Sequence, residues 1–266
     1  MANGKRAYEI LDRPGVLEYL FHPRPTGPGR RPGENREDMM IPVGPEIELG
    51  ASLHFRSPDA PVLLFFHGNG EIVQDYDEMG QAFTRWAGVN FFVVDYRGYG
   101  DSSGSPGVTA MMADAHNVLD FLGQVMDKKK MTGPVSVMGR SLGSAPAIEL
   151  AASRPDVFRS LIVESGFAFA GPLLRVLGLD PDGLGFREDQ GMGTLDKMGR
   201  VNCPCLLIHA QSDQLIPFSD GQALFDACPS GKKEMVAVKG AGHNDIFIRG
   251  MGPYLDGVKR FCGASL

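Results

Sequence analysis

Gly139-Arg140-Ser141-Leu142-Gly143 lies between Pro134-Val135-Ser136-Val137-Met138, which reads as a short buried strand, and Ala145 to Ser153 (APAIELAAS), which reads as a helix. A serine held in a sharp strand-to-helix turn needs small residues two positions either side, because side chains there would strike the adjoining backbone. The five residues therefore read as a nucleophile elbow that presents the Ser141 hydroxyl at a sheet edge.

The pattern alone is weak in a chain with 35 glycines among 266 residues, so its setting has to decide. Gly100-Asp101-Ser102-Ser103-Gly104 repeats it. This second copy follows the strand-like Phe91 to Asp95 only after a glycine-rich loop, and Pro106-Gly107 comes directly behind it, so no helix starts on its serine. It reads as loop.

Outward from the elbow the chain repeats strand, loop and helix. Val62 to Phe66, Phe91 to Asp95, Ser160 to Glu164 and Cys205 to His209 are short apolar runs of the kind expected of strands buried on both faces. With helices expected at about 75–87, 109–127, 219–227 and 245–261, and a strand at Lys233 to Val238, the fold class is α/β, a mostly parallel central sheet with helices on both faces. Glu37 to Val43 and Ile47 to Phe55, around Gly44-Pro45, read as an antiparallel opening. Phe21 to Gly33 holds four prolines, three glycines and three arginines and reads as an irregular surface connection without assigned chemistry.

One domain is expected over 1–266, with 1–36 as an N-terminal extension and 165–201 as an insertion too long for an ordinary connection. The insertion carries Phe167, Phe169, Leu173, Leu174, Val176 and Leu177 before a glycine-rich polar stretch. A small helical lid is expected, with Phe167, Phe169, Leu173, Leu174 and Leu177 lining a substrate pocket. The competing reading is a surface excursion that closes on its own core. The place of the insertion, just after a strand's carboxyl end, favours the lid.

A serine nucleophile needs a base to take its proton, and the base needs a carboxylate to hold its tautomer. Asp213 follows the Cys205 to His209 strand and His243 follows the Lys233 to Val238 strand, so both fall at the strand ends that carry Ser141, in the order serine, acid, histidine. Glu164 is the rival acid, and His209 and His67 are the rival bases; His22, His54 and His116 read as surface or packing residues. For the oxyanion, His67-Gly68-Asn69-Gly70 behind the Val62 to Phe66 strand offers a turning backbone. The Asn69 and Leu142 backbone N–H groups are the assigned pair, with Gly70 the close rival to Asn69.

The totals narrow the function classes. A net charge of −6 and a pI near 5.5, with Lys128-Lys129-Lys130 placed at an expected helix end, argue against a nucleic-acid partner. Cys203-Pro204-Cys205 has the wrong spacing for zinc ribbons or thioredoxin motifs, and four cysteines are too few for a disulfide scaffold. No metal and no cofactor is expected. Lys5, Arg6, Glu9, Asp12 and Arg13 break up the first nineteen residues, so neither a signal peptide nor a membrane span is expected, and a cytoplasmic protein follows. Oligomeric state is not legible.

Phe66-His67-Gly68-Asn69, Asp95-Tyr96-Arg97-Gly98-Tyr99-Gly100 and Gly139 to Gly143, in register, resemble the motifs of small single-domain serine hydrolases of the α/β-hydrolase superfamily. The likeness covers about residues 37–263. It implies the α/β-hydrolase fold, a triad of Ser141, Asp213 and His243, and a structural role for Asp95 and Arg97 beside the elbow. It implies little about substrate, since relatives include carboxylesterases, lipases, thioesterases and peptidases. The leading expectation is hydrolysis of a small-molecule ester or thioester. The alternatives are a peptidase or amidase, or a non-catalytic ligand-binding protein on the same scaffold. A dehalogenase is disfavoured, because it needs a carboxylate where the elbow has serine.

Overall fold

Val62–Phe66 (β3), Asn90–Val94 (β4) and Cys205–Ala210 (β7) are buried along their whole lengths, so each must be covered on both faces. The structure, a computed structural model, describes residues 8–30, 33 and 35–263. Lys5 and Arg6, and residues 31, 32 and 34 of the N-terminal extension, lie outside the described residues. The remaining strands are Arg36–Gly44 (β1), Ile47–His54 (β2), Val135–Arg140 (β5), Leu161–Glu164 (β6) and Lys233–Val238 (β8). Together they form one sheet in the order β1-β2-β4-β3-β5-β6-β7-β8. β1 with β2 and β2 with β4 pair antiparallel, and every pairing from β4 to β8 is parallel. β3 lies between β4 and β5, so the chain's direction of travel across the sheet reverses beside the elbow strand, where α/β sheets open a crevice.

Alternation along β3 divides the core. Leu64 and Phe66 join one cluster with Pro14–Leu20 (α1), Val108–Lys129 (α3), Ser144–Ser153 (α4) and Phe218–Ala227 (α7), whereas Leu63 and Phe65 join another under Ile246–Cys262 (α8). The helix expected at 75–87 is split into a 3-10 turn Val73–Tyr76, a short α2 (Asp77–Ala82) and a π turn Phe83–Ala87. The wider last turn keeps Phe83 and Ala87 both buried, with the Phe83 ring stacked on Phe91 at 4.6 Å.

α3 has Gly107 at its N-cap, and the missing cap is supplied from a distance: Asp12 accepts the Val108 N–H at 2.6 Å and the Thr109 hydroxyl at 2.5 Å. The N-terminal segment is thereby tied into the sheet's helical layer. Among the described residues no helix is long and apolar enough to cross a membrane. Cys203, Cys205, Cys228 and Cys262 are all buried and free.

The excursion between β6 and β7 contains α5 (Ala170–Val176), a 3-10 turn Glu188–Gln190 and α6 (Thr194–Met198). Its ends are held by charge. Glu188 accepts the amides of Ala170 and Gly171 at the start of α5, and Asp220 of α7 accepts the Ala168 amide at 2.9 Å. On α6 the buried Lys197 ammonium lies 2.6 Å from Glu149 of the elbow helix α4 and 3.1 Å from the Tyr8 hydroxyl. His116, 3.7 Å away on α3, and Lys197 outweigh burial and hold the Glu149 carboxyl down from 4.5 to about 2.

A carboxyl whose folded value is depressed stabilises the fold above its unfolded value, and that contribution is lost as pH falls through the folded one. Glu149→Gln should therefore lower stability by on the order of 2 kcal/mol at neutral pH, with the gap to wild type narrowing by more than half by about pH 3. Urea midpoints measured at both pH values test this. An equal gap at both would remove Glu149 as the anchor of α6.

Candidate active site

Ser141 follows the last residue of β5 and takes φ 52°, a left-handed conformation that costs a residue with a Cβ roughly 1–2 kcal/mol. The flanking glycines make the turn sterically feasible. A Cβ on Gly139 would stand 2.0 Å from the Gly143 carbonyl oxygen, and one on Gly143 would stand 2.1 Å from that of Phe66. The Ser144 hydroxyl donates to the Ser141 carbonyl at 2.7 Å and closes the turn.

The loops behind β7 and β8 bring two side chains to this serine. The Ser141 hydroxyl lies 2.9 Å from His243 Nε2, and His243 Nδ1 lies 2.8 Å from Asp213 Oδ2. The other Asp213 oxygen accepts the Leu215 and Ile216 amides, each at 2.9 Å. Burial opposes charge on Asp213, but the His243 bond and these two amides prevail and hold the carboxyl below its ordinary value. An ionised Asp213 keeps the Nδ1 proton and leaves Nε2 as acceptor for the serine.

Behind β3 the chain turns through His67 to Gly70, with Gly70 at φ 74°. The Tyr99 hydroxyl donates to Asn69 Oδ1 at 2.7 Å and accepts the His22 amide at 2.7 Å. A cavity of about 320 Å³ opens onto Ser141 and His243. Leu20 and His22 wall one side, Leu173, Val176 and Leu177 of α5 another, and Leu215 and Ile216 a third. The volume falls at the lower end of the range for small-molecule sites.

Comparison with known proteins places the chain. A family model described as serine aminopeptidase, S33, matches residues 57–177. Alpha/beta hydrolase domain-containing protein 17C of Mus musculus is 33% identical over 211 residues, covering 77% of this chain and 60% of that protein. The chain thus spans about 60% of that relative's length. Alpha/beta hydrolase domain-containing protein 17B of Xenopus tropicalis is 32% identical over 217 residues, covering 79% of this chain and 69% of the relative. The chain belongs to the α/β-hydrolase family. The Pyrococcus furiosus esterase Pf2001 has the same fold, with a TM-score of 0.69 at 17% identity over 85% of this chain and 91% of that one.

In this α/β hydrolase the structure brings Ser141, His243 and Asp213 together, and His209 Nε2 lies 3.8 Å from the same Asp213 oxygen. Glu164, the last residue of β6, is engaged by other groups: it pairs with Arg140 Nε at 3.1 Å and accepts the Tyr254 hydroxyl at 2.5 Å. His209 donates to the Ile216 carbonyl at 2.9 Å, and burial pushes its pKa down. His67 is engaged by the Gly68 carbonyl and Asp95. Asp95 also accepts the Val73 amide at 2.8 Å, and Arg97 forks onto Asp114 with both contacts at 2.7 Å, so the two hold the loop beside the elbow.

Three expected pocket residues are corrected. Phe167 and Leu174 are buried in the core beneath α5, and Phe169 packs against that core from the helix's N-cap. On a helix, positions 173, 176 and 177 share one face while 171 and 174 share another, which is buried, so only Leu173 and Leu177 of the expected set face the cavity. His22, read as a surface or packing residue, is exposed and, with Leu20, lines the cavity. No local signal marks His22, because its partners Asn69 and Tyr99 lie 47 and 77 residues away.

Fluorophosphonate should label Ser141 and spare Ser102, whose hydroxyl oxygen accepts the Gly50 amide at 2.8 Å. Asp213→Asn should slow that labelling by roughly 10³ through loss of the productive tautomer. Peptide mapping that finds the label on Ser102, or labelling of Asp213→Asn at the wild-type rate, would contradict this arrangement.

Proposed function

We propose that the chain is a serine hydrolase that cleaves a carboxylic ester or thioester through an acyl-enzyme on Ser141. The observation that carries this reading is the hydrogen-bonded chain from Ser141 through His243 to Asp213, open to an apolar-walled cavity. His243 Nε2 takes the serine proton as Oγ bonds to the substrate carbonyl carbon, and the carbonyl electrons move onto oxygen. The Leu142 amide and the Asn69 amide meet that oxyanion. Collapse re-forms the carbonyl and breaks the bond to the leaving alcohol or thiol, which receives the proton from His243. Water, deprotonated by the same imidazole, then releases the acid and restores Ser141.

The excursion acts as the lid wall of the acyl site, with Leu173 and Leu177 its contacts. Amide cleavage is the second reading, favoured by the description of the matched family model. Against an aminopeptidase stands the wall chemistry: among the described residues no Asp or Glu lines the cavity to receive a free ammonium.

A panel of p-nitrophenyl esters of rising acyl length, beside an acyl thioester and an aminoacyl anilide, tests both readings, with Ser141→Ala as blank. Each methylene buried contributes about 0.8 kcal/mol, so kcat/KM should rise roughly three- to fourfold per carbon until the cavity is full. Leu173→Ala/Leu177→Ala should flatten that rise while acetyl-ester hydrolysis changes little. An unchanged hexanoyl-to-acetyl ratio removes the acyl wall from α5, and turnover of the anilide alone moves the assignment to amides.

A further inference from the structure

Beside the serine lies a buried ionic cluster that the acyl-transfer steps do not use. The Arg140 side chain is about nine-tenths buried, and each of its guanidinium nitrogens meets a different part of the chain. Nε donates to Glu164 at the end of β6, at 3.1 Å. Nη1 pairs with Glu71, behind the turn that follows β3. Nη2 donates to the His243 carbonyl at 3.0 Å and to Asn244 Oδ1 at 3.2 Å.

Glu71 carries the connection onward. Its Oε2 accepts the Gly68 amide at 2.7 Å and the Tyr76 hydroxyl at 2.6 Å. Gly68 leaves the room this requires, since a Cβ there would stand 2.5 Å from Arg140 Nη1 and 2.9 Å from Glu71 Oε2. The loop that bears the imidazole and the turn that bears the Asn69 amide are therefore both referenced to one cation, on the residue before the nucleophile.

We propose that Arg140 is a positioning residue that sets His243 and the oxyanion turn relative to Ser141. The proposal rests on the serine-hydrolase reading above. Burying a guanidinium and two carboxylates contributes little net stability, because desolvation cancels most of the Coulomb attraction. What the cluster supplies is direction: a planar fork fixes three segments at once, whereas an ammonium on a flexible stem presents a single point of charge. Misplacing a reacting group by about 1 Å costs roughly 10²-fold in rate, so a looser anchor should be read in turnover.

Arg140→Lys keeps the charge and removes the fork. Well below its melting temperature it should lower kcat by roughly 10- to 100-fold on the best ester of the panel, with KM changed less than about threefold. The low-field proton resonance of the His243 Nδ1–H bonded to Asp213 should be sharp in wild type and broadened or lost in the variant. Should Arg140→Lys fail to fold, Arg140→Met/Glu164→Gln removes the cation with one carboxylate and is judged by the same two readouts. A variant that only melts earlier, with kcat and the resonance retained, overturns the proposal and leaves Arg140 as packing. If wild-type protein shows the resonance but hydrolyses no ester and takes no fluorophosphonate, the hydrolase reading fails, and the resonance in the variant still decides whether Arg140 positions the loop.

Discussion

Two carbonyl groups crowd the elbow so closely that no methyl group fits at Gly139 or Gly143, and the rest of the site follows from that contact. Because Gly143 packs against the carbonyl of Phe66, the start of the elbow helix is pressed onto the end of β3, where the turn carrying Asn69 begins. The left-handed Ser141 and the nearness of the turn behind β3 are therefore one geometric fact. Any residue with a Cβ at position 143 would push the turn away from the serine as well as distort the elbow. The conformational cost at Ser141 is borne by a fully buried surround: Ala145, Ala147 and Ile148 of α4 have no exposed surface, and the Ser144 hydroxyl closes the turn.

The same carboxyl edge gathers acidic residues with separate duties, and reach decides which one serves the histidine. Asp213 stands three residues beyond the end of β7, on a loop whose amides at Leu215 and Ile216 fix one oxygen and leave the other for His243. Glu164 is the last residue of its strand, so its side chain stays within the sheet edge and meets Arg140 and Tyr254. Asp95, one residue past β4, is drawn inward to the Val73 amide and the His67 ring. Equal chemistry in the three carboxylates is thus separated by one to three residues of loop.

That distinction explains what could be read from the chain. Buried strands such as β3 and β7 announce themselves as unbroken apolar runs, and the elbow announces itself through steric demands that only glycine meets. The order of serine, aspartate and histidine relative to strand ends carries the rest of the hydrogen-bonded chain. Side-chain direction on α5 was not legible, because a seven-residue helix with leucines at 173, 174 and 177 is apolar on both faces and periodicity cannot say which face meets the sheet. Leu20 and His22 were hidden for another reason. The proline- and glycine-rich stretch around them does read as loop, and its contacts are made to sequence far away. Arg140 sat inside the quoted motif, yet a guanidinium beside a serine discloses nothing until its partners from three other segments are in place.

The two parts of the site also rest on different physics. Ser141 and Asp213 follow β5 and β7, parallel strands with hydrogen-bonded neighbours on either side, and His243 follows β8, the edge strand paired with β7. The cavity walls come from α1 and α5, seven residues each, and helices this short are not stable in isolation. They stand only through tertiary anchors. α1 buries Val16 and Leu20, and the chain beyond it is pinned where Arg24 Nε donates to the Gly70 carbonyl at 2.7 Å. α5 depends on the Glu188 carboxylate at its first amides. Arg24 thereby couples the wall to the chemistry, because the carbonyl it holds belongs to the turn that carries the Asn69 amide. On the proposed reading, a substrate group that displaced the segment at Leu20 and His22 would loosen that turn, both through the Arg24 bond and through the His22 amide that donates to Asn69 Oδ1 at 2.9 Å.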